Sequence, residues 1–333
     1  MTKQTLKHLA LSLALLGLTL STSPSMAQVG LALKRPVARA ASSPAQAASH
    51  QTKTLGSPSY TYTLLSFPGG LYTYAVGMNK GATTSKIEIV GSQSQGGFLV
   101  GVSEKKIVSE AYQAVNYPHA AEQVGASDIN DLGQIVGAYI DSSGVYHGYE
   151  RSLGKFTKID VPFAGATGTL AVAINDSGEV VGSWTDSSAA SHGFTLIGGT
   201  YTSLDYPGAT QTTATDINSV GSIVGWYIDT SGFYHGYLLS GGTYTSFDAP
   251  GSVYTATTGI NDAGAIVGAY CTTSECSSTS VGQQGFLLSG GVFTTIAVPG
   301  EVETGLSDIN NNGAVIGYYQ DAAGVVVSFI ATP

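Results

Sequence analysis

The chain is short of several things, and each shortage excludes something. Of its 333 residues only 13 are Lys or Arg, and the last is Lys158. Ile159 to Pro333 therefore carries no Lys or Arg, against 14 Asp and Glu. Nucleic-acid affinity rests on Lys and Arg contacts to phosphate, so nucleic acid is excluded as a partner. There are two cysteines, Cys271 and Cys276, in CTTSEC. A thiolate metal site would need further soft ligands nearby. In an oxidising compartment so close a pair reads as a disulfide. No apolar run reaches the roughly 20 residues of a spanning helix. G-x-S-x-G, H-E-x-x-H and phosphate-loop motifs are missing too.

What is present begins with an address. Lys3, Lys7 and His8 precede an apolar run from Leu9 to Leu20, and Ser25-Met26-Ala27 ends the polar stretch after it. A basic start, a short apolar run and a small-x-small end read as a signal peptide over 1–27, cut after Ala27. Residues 28–58 are rich in Ala, Ser, Pro and Gln and have no apolar period, so they read as a disordered linker. From there to 333, Tyr, Thr, Val, Ile and Gly dominate, which is strand-and-turn chemistry.

This region repeats. INDLGQIVG, INDSGEVVG, INSVGSIVG, INDAGAIVG and INNNGAVIG start at Ile129, Ile174, Ile217, Ile260 and Ile309. A degenerate copy, MNKGATTSKIEIVG, starts at Met78. Their asparagines, from Asn79 to Asn310, lie 43 to 51 residues apart. Each copy has a strand ending at Ile-Asn, a Gly turn, a second strand, and a third strand carrying His-Gly-aromatic or a variant. A Gly turn and a fourth strand ahead of X-Pro follow. Four short strands per repeat is the signature of a β-propeller blade. The last copy ends after its third strand, at VVVSFIATP, while YTYTLLSFPGG near Tyr60 reads as a fourth strand without its first three. The expectation is an all-β, six-bladed propeller closed by an N-terminal strand that completes the last blade.

With HGY at His147 and His235, HGF at His192, and the IND-x-G and FT-x-ID-x-PG elements around them, residues 60 to 333 resemble the extracellular HAF repeat family. The resemblance implies a secreted bacterial repeat protein and brings no catalytic residues. Blades one, five and six lack the His, with Gly96, Gln284 and Val327 in its place.

Repetition assigns most polar residues to scaffold. His147, His192 and His235 sit on neighbouring blades, too far apart to converge on one ion, and are expected to bond the Asp-Pro loop or a carbonyl of their own blade. Asp160, Asp205 and Asp248 are read as caps on the turn they precede. DINNNG offers Asp308, Asn310 and Asn312 as a calcium loop, but the later acidic ligand is missing: Tyr319 and Ile316 stand at the two relevant places. Otherwise no cofactor is expected. Chemistry is needed once, so off-pattern residues are the better candidates. Glu122, Glu301 and Glu303 enter first strands near the channel mouth and are candidate catalytic carboxylates for glycosidic hydrolysis. His119 is a candidate ligand contact. Trp184 and Trp226, read as matching points of second strands, are candidate sugar platforms. The expected protein is a monomeric, non-catalytic binding or scaffolding module for an extracellular protein or polysaccharide. It acts in the periplasm, at the surface or outside the cell. The alternatives are a carbohydrate-active hydrolase or lyase, and a structural envelope protein.

Overall fold

The computed structural model describes residues 50–51, 60–65, 73–81, 87–93, 96–103, 106–107, 112–274, 276, 282–298, 300–322 and 324–333. The signal-peptide reading lies outside them, as does the disordered-linker reading except at residues 50–51, which form a short strand instead. There His50 and Gln51 pair with Thr63 and Tyr62. No helix among the described residues is long and apolar enough to cross a membrane.

The architecture is all-β. Blade 1 contains Thr73–Met78, Ile87–Gln93, Gly96–Ser103 and Gln113–Val115. Blade 2 is Glu122–Ile129, Ile135–Ile140, Tyr146–Ser152 and Lys155–Ile159. Blade 3 is Gly168–Ile174, Val180–Thr185, Ser191–Ile197 and Thr200–Leu204. Blade 4 is Gln211–Ile217, Ile223–Ile228, Tyr234–Ser240 and Thr243–Phe247. Blade 5 is Tyr254–Ile260, Ile266–Cys271, Gln284–Ser289 and Val292–Ile296. The third strand of blade 4 also meets the first strand of blade 5 through one parallel bridge, Tyr234 to Tyr254. Blade 6 has Glu303–Ile309, Val315–Gln320 and Val326–Thr332 from the C-terminal end. Its fourth strand is Thr61–Leu65, antiparallel to the third with Thr61 opposite Thr332.

The repeat is spaced by packing. Phe98, Tyr149, Phe194, Tyr237, Phe286 and Phe329 are all fully buried at the same point of the third strand. Each faces a second-strand glycine: Gly91, Gly137, Gly182, Gly225, Gly268 or Gly317. All six first strands shift register at the same place, and that of blade 2 shifts a second time between Gln123 and Gly125. Such a bulge turns one extra residue out of the ladder. The residues turned out are Val76, Ser127, Val172, Thr215, Thr258 and Ser307, and all six line one cavity of about 30 Å³.

The Ile-Asn motif is the joint between blades. Asn130, Asn175, Asn218 and Asn261 donate Nδ2 to the backbone carbonyl of the next asparagine in the series, at 3.0–3.1 Å. Their Oδ1 atoms accept N–H groups of their own turns, as Asn175 does from Ser177 and Glu179. Asn175→Ala would strand two N–H groups and a carbonyl. It is expected to cost about 2–3 kcal/mol, read as a lower urea midpoint at unchanged slope.

The series changes at blade 6. Asn310 Nδ2 is buried without a partner. Asn311 N donates instead to Lys80 O at 2.8 Å, and Ser328 Oγ donates to Thr73 O at 2.8 Å.

Candidate functional site

The cavity between the first strands holds a charge cluster that alternates with the blades. The residue before Ile-Asn or Met-Asn is Asp128, Asp216 and Asp308 in blades 2, 4 and 6, but Gly77, Ala173 and Gly259 in blades 1, 3 and 5. Small residues leave room for the aspartates that follow them. A Cβ at Gly77 would sit 2.6 Å from Asp128 Oδ1, and one at Gly259 would sit 2.8 Å from Asp308 Oδ1. Each aspartate Oδ2 then accepts the N–H of the next blade: Ile174 N at 3.0 Å, Ile260 N at 2.6 Å and Met78 N at 2.9 Å.

Lys80 fills the remaining side. Its Nζ donates to Asp216 Oδ2 at 2.7 Å, to Asp308 Oδ1 and to Ile309 O at 3.4 Å. Burial works against the ammonium, but Asp216, Asp308 and Asp128 outweigh it, and its pKa is raised. Burial pushes Asp308 up to about 7 against the pull of Lys80, with Asp216 adding to the rise. Burial also raises Asp128 well above the usual carboxylate range; Lys80 opposes this, and Asp308 and Asp216 reinforce it. Asp128 Oδ1 is buried without a partner.

The sign of the pH effect follows. A carboxyl with a raised folded pKa holds its proton more tightly when folded, so the native state binds more protons above the ordinary value of 3.8. Stability from Asp308 is greatest below about pH 4 and falls as pH rises toward about 7, and Asp128 acts in the same direction. Asp128→Asn can keep the bond from Ile174 while removing the unpartnered charge. In EDTA, melting at pH 5 and pH 8 should show the wild type losing about 1–2 kcal/mol more than this variant across that interval.

The third strands of blades 2, 3 and 4 carry a second repeated feature. His147 Nδ1 lies 2.7 Å from Asp160 Oδ1 and its Nε2 lies 3.2 Å from Asp141 Oδ2. His192 spans Asp205 at 2.7 Å and Asp186 at 3.5 Å. His235 spans Asp248 at 3.0 Å and Asp229 at 3.5 Å. Each ring also lies against a second-strand aromatic, Tyr139, Trp184 or Tyr227. An aromatic of the connection entering the blade, Tyr117, Phe163 or Tyr206, covers that one in turn. The expected tie to the Asp-Pro loop is thus present. Asp160, Asp205 and Asp248 serve as the histidine partners. Turn capping falls to Asp141, Asp186 and Asp229, whose Oδ1 atoms accept two N–H groups each.

The off-pattern residues are scattered. Glu122 begins blade 2 beside Tyr146, whereas Glu303 lies by Tyr318 and Glu301 by Tyr319 in blade 6. His119 is exposed at φ 61°, the backbone region that Gly208, Gly251 and Gly300 adopt in the equivalent turns. The two tryptophans do not match. Trp184 pairs with His192, while Tyr227, one residue beyond Trp226, pairs with His235. An offset of one residue sends the side chains to opposite faces of a strand. Trp226 is 1% exposed and packs on Cys271 and Cys276, and Trp184 is 8% exposed. Neither offers a free ring face to a sugar. Cys271 and Cys276 form a disulfide.

Asp308, Asn310 and Asn312 do not converge as a calcium loop. Asp308 faces Lys80 and Met78 N, while Asn310 Oδ1 accepts Asn312 N and Ala314 N. Lys80 was the residue that repeat reasoning passed over. Its signal is present in the sequence, as the alternation of Asp with Gly or Ala before Ile-Asn, with a lysine after the asparagine in one copy only.

No protein-family model and no curated protein matches the chain. Among solved structures, AofleA from Arthrobotrys oligospora is similar, at 13% identity and TM-score 0.52 over 86% of this chain and 90% of that one. A fungal lectin from Aleuria aurantia, described as a six-bladed β-propeller with a fucose recognition mode, aligns at 11% identity and TM-score 0.46. That alignment covers 78% of this chain and 92% of the lectin. The likeness to AofleA is one of fold.

Proposed function

We propose that the chain is a secreted six-bladed propeller, closed by its N-terminal strand, that binds polysaccharide without catalysis. Binding takes place on the face carrying the histidine–aspartate units. One observation carries the reading. Three successive blades present the same carboxylates at the same place, with the Asp205 side chain 53% and the Asp248 side chain 44% exposed. Carboxylates accept hydrogen bonds from sugar hydroxyls, and a repeating polymer can meet a repeating set of weak sites at once, gaining avidity. Each histidine is already spanned by two carboxylates, which suits orientation of those groups rather than proton transfer. The signal-peptide sequence, the disulfide and the resemblance to HAF repeats support export and action at or beyond the cell envelope. The ring reading rests on one cavity lined from all six blades and on the Thr61–Leu65 pairing.

A glycan array and a polysaccharide panel, with product analysis after long incubation, test this on the chain from residue 28. The expected result is reversible binding of polymers over monosaccharides, with no product. The double variant Asp205→Asn/Asp248→Asn should weaken binding at least tenfold, since two of three sites are altered. Released oligosaccharides, or binding unaffected by that variant, would overturn the reading.

A further inference from the structure

The central cavity carries more carboxylate than its one lysine can balance. Asp128, Asp216, Asp308 and Lys80 are all buried there. With the three acids ionised, two negative charges remain. The lysine does not sit on the axis of the three. It is turned toward Asp216, Asp308 and Ile309 O, which satisfies its three donors. Asp216 Oδ1 and Asp308 Oδ1 also accept their neighbours' N–H groups, from Ile217 and Ile309. Of the three, Asp128 Oδ1 alone has no partner among the described residues, and Asp128 lies on the cavity wall next to Gly77. The rest of the wall includes Ser127, Ser307, Tyr74 and Tyr318, with Thr215 and Thr258, whose hydroxyls donate to backbone carbonyls.

We propose that this cavity binds a divalent cation, calcium by preference, with Asp128 Oδ1 as its direct carboxylate ligand and the excess charge of Asp216 and Asp308 felt through water. A buried, unpartnered carboxylate oxygen costs free energy unless a proton or a cation meets it. The cavity, of about 30 Å³, is of the size that holds an ion with about one or two waters. Calcium accepts irregular oxygen sets and retained waters, and sites with few protein ligands bind it at about 10⁻⁴–10⁻³ M, within reach outside the cell. Lys80 holds the other two aspartates in place, so the ion meets a preset wall. The site is distinct from the DINNNG loop and shares only Asp308 with it.

The test uses the full mature chain after EDTA dialysis. Melting at pH 8 in 5 mM calcium chloride should exceed that in EDTA by about 3–6 °C, with a smaller rise in magnesium and none in potassium chloride of equal ionic strength. Calorimetry of the EDTA-dialysed chain should show calcium binding at one site, with none in Asp128→Asn. Asp128→Asn should melt higher than the wild type in EDTA and lose the calcium response, two shifts of opposite sign that a folding defect does not produce. Equal melting of the wild type in calcium and EDTA overturns the proposal. So does a calcium response kept in Asp128→Asn.

Discussion

Lys80→Met is expected to destabilise the protein by about 3–5 kcal/mol, the cost of breaking a buried ion pair from one side. The methionine fills similar volume, so little of that loss is cavity. What remains is three buried carboxylates with no ammonium, at the point where the first repeat meets the last. Lys80 reaches Asp216 and Asp308 across 136 and 228 residues of sequence. Its own backbone carbonyl takes Asn311 N. The loss should depend on pH in a defined direction. Lowering the pH protonates the aspartates and removes the charge that lysine balanced, so the gap to wild type narrows from pH 8 to pH 4. Urea unfolding at the two pH values reads this. A gap that widens on acidification would mean the lysine acts through something other than these acids.

Gly225→Ala is expected to cost at least about 3 kcal/mol, the upper part of the range for overpacking. A Cβ there would lie 2.0 Å from Thr213 O and 2.6 Å from the Tyr237 ring. Neither can yield. The carbonyl belongs to the bulged first strand and accepts Tyr237 Oη at 3.2 Å, and the ring is fully buried. The same approach recurs at Gly91, Gly137, Gly182, Gly268 and Gly317, at 1.9–2.3 Å from a first-strand carbonyl. Gly101 is the control. It lies in a third strand with nothing within 4 Å of a Cβ, so Gly101→Ala should be neutral or stabilise by up to about 1 kcal/mol. Thermal melts of the two variants side by side separate crowding from a general cost of replacing glycine.

Much of the fold was legible because each repeat states its strands locally. The IN-D-x-G turn, the glycine after the second-strand valine and the buried third-strand aromatic recur at fixed offsets, and the structure places each at one role. The truncated ends pointed to the pairing of Thr61–Leu65 with Val326–Thr332 for the same reason. The charge cluster was not read, because it is made between repeats. A within-repeat pattern reads Asp128, Asp216 and Asp308 as variable positions beside Gly77, Ala173 and Gly259. Only their meeting at the hub gives them a common partner in Lys80. The tryptophans failed for a smaller reason. Aligned on the Val-Gly pair, Trp184 is two residues past Gly182 and Trp226 one past Gly225, and a strand turns that single residue into opposite faces. Off-pattern carboxylates such as Glu122 and Glu301 carry no repeat, so spacing alone could not assign their surroundings.

Amide exchange at Met78 tests the closed ring most directly. Its N–H donates to Asp308 Oδ2, as Ile174 N does to Asp128 and Ile260 N to Asp216. A closed ring makes the three bonds equivalent, so Met78 should exchange within about tenfold of Ile174 and Ile260, near the rate of global unfolding. Exchange of Met78 at the rate of an exposed chain, with the other two still protected, would mean that the first and last blades part in solution.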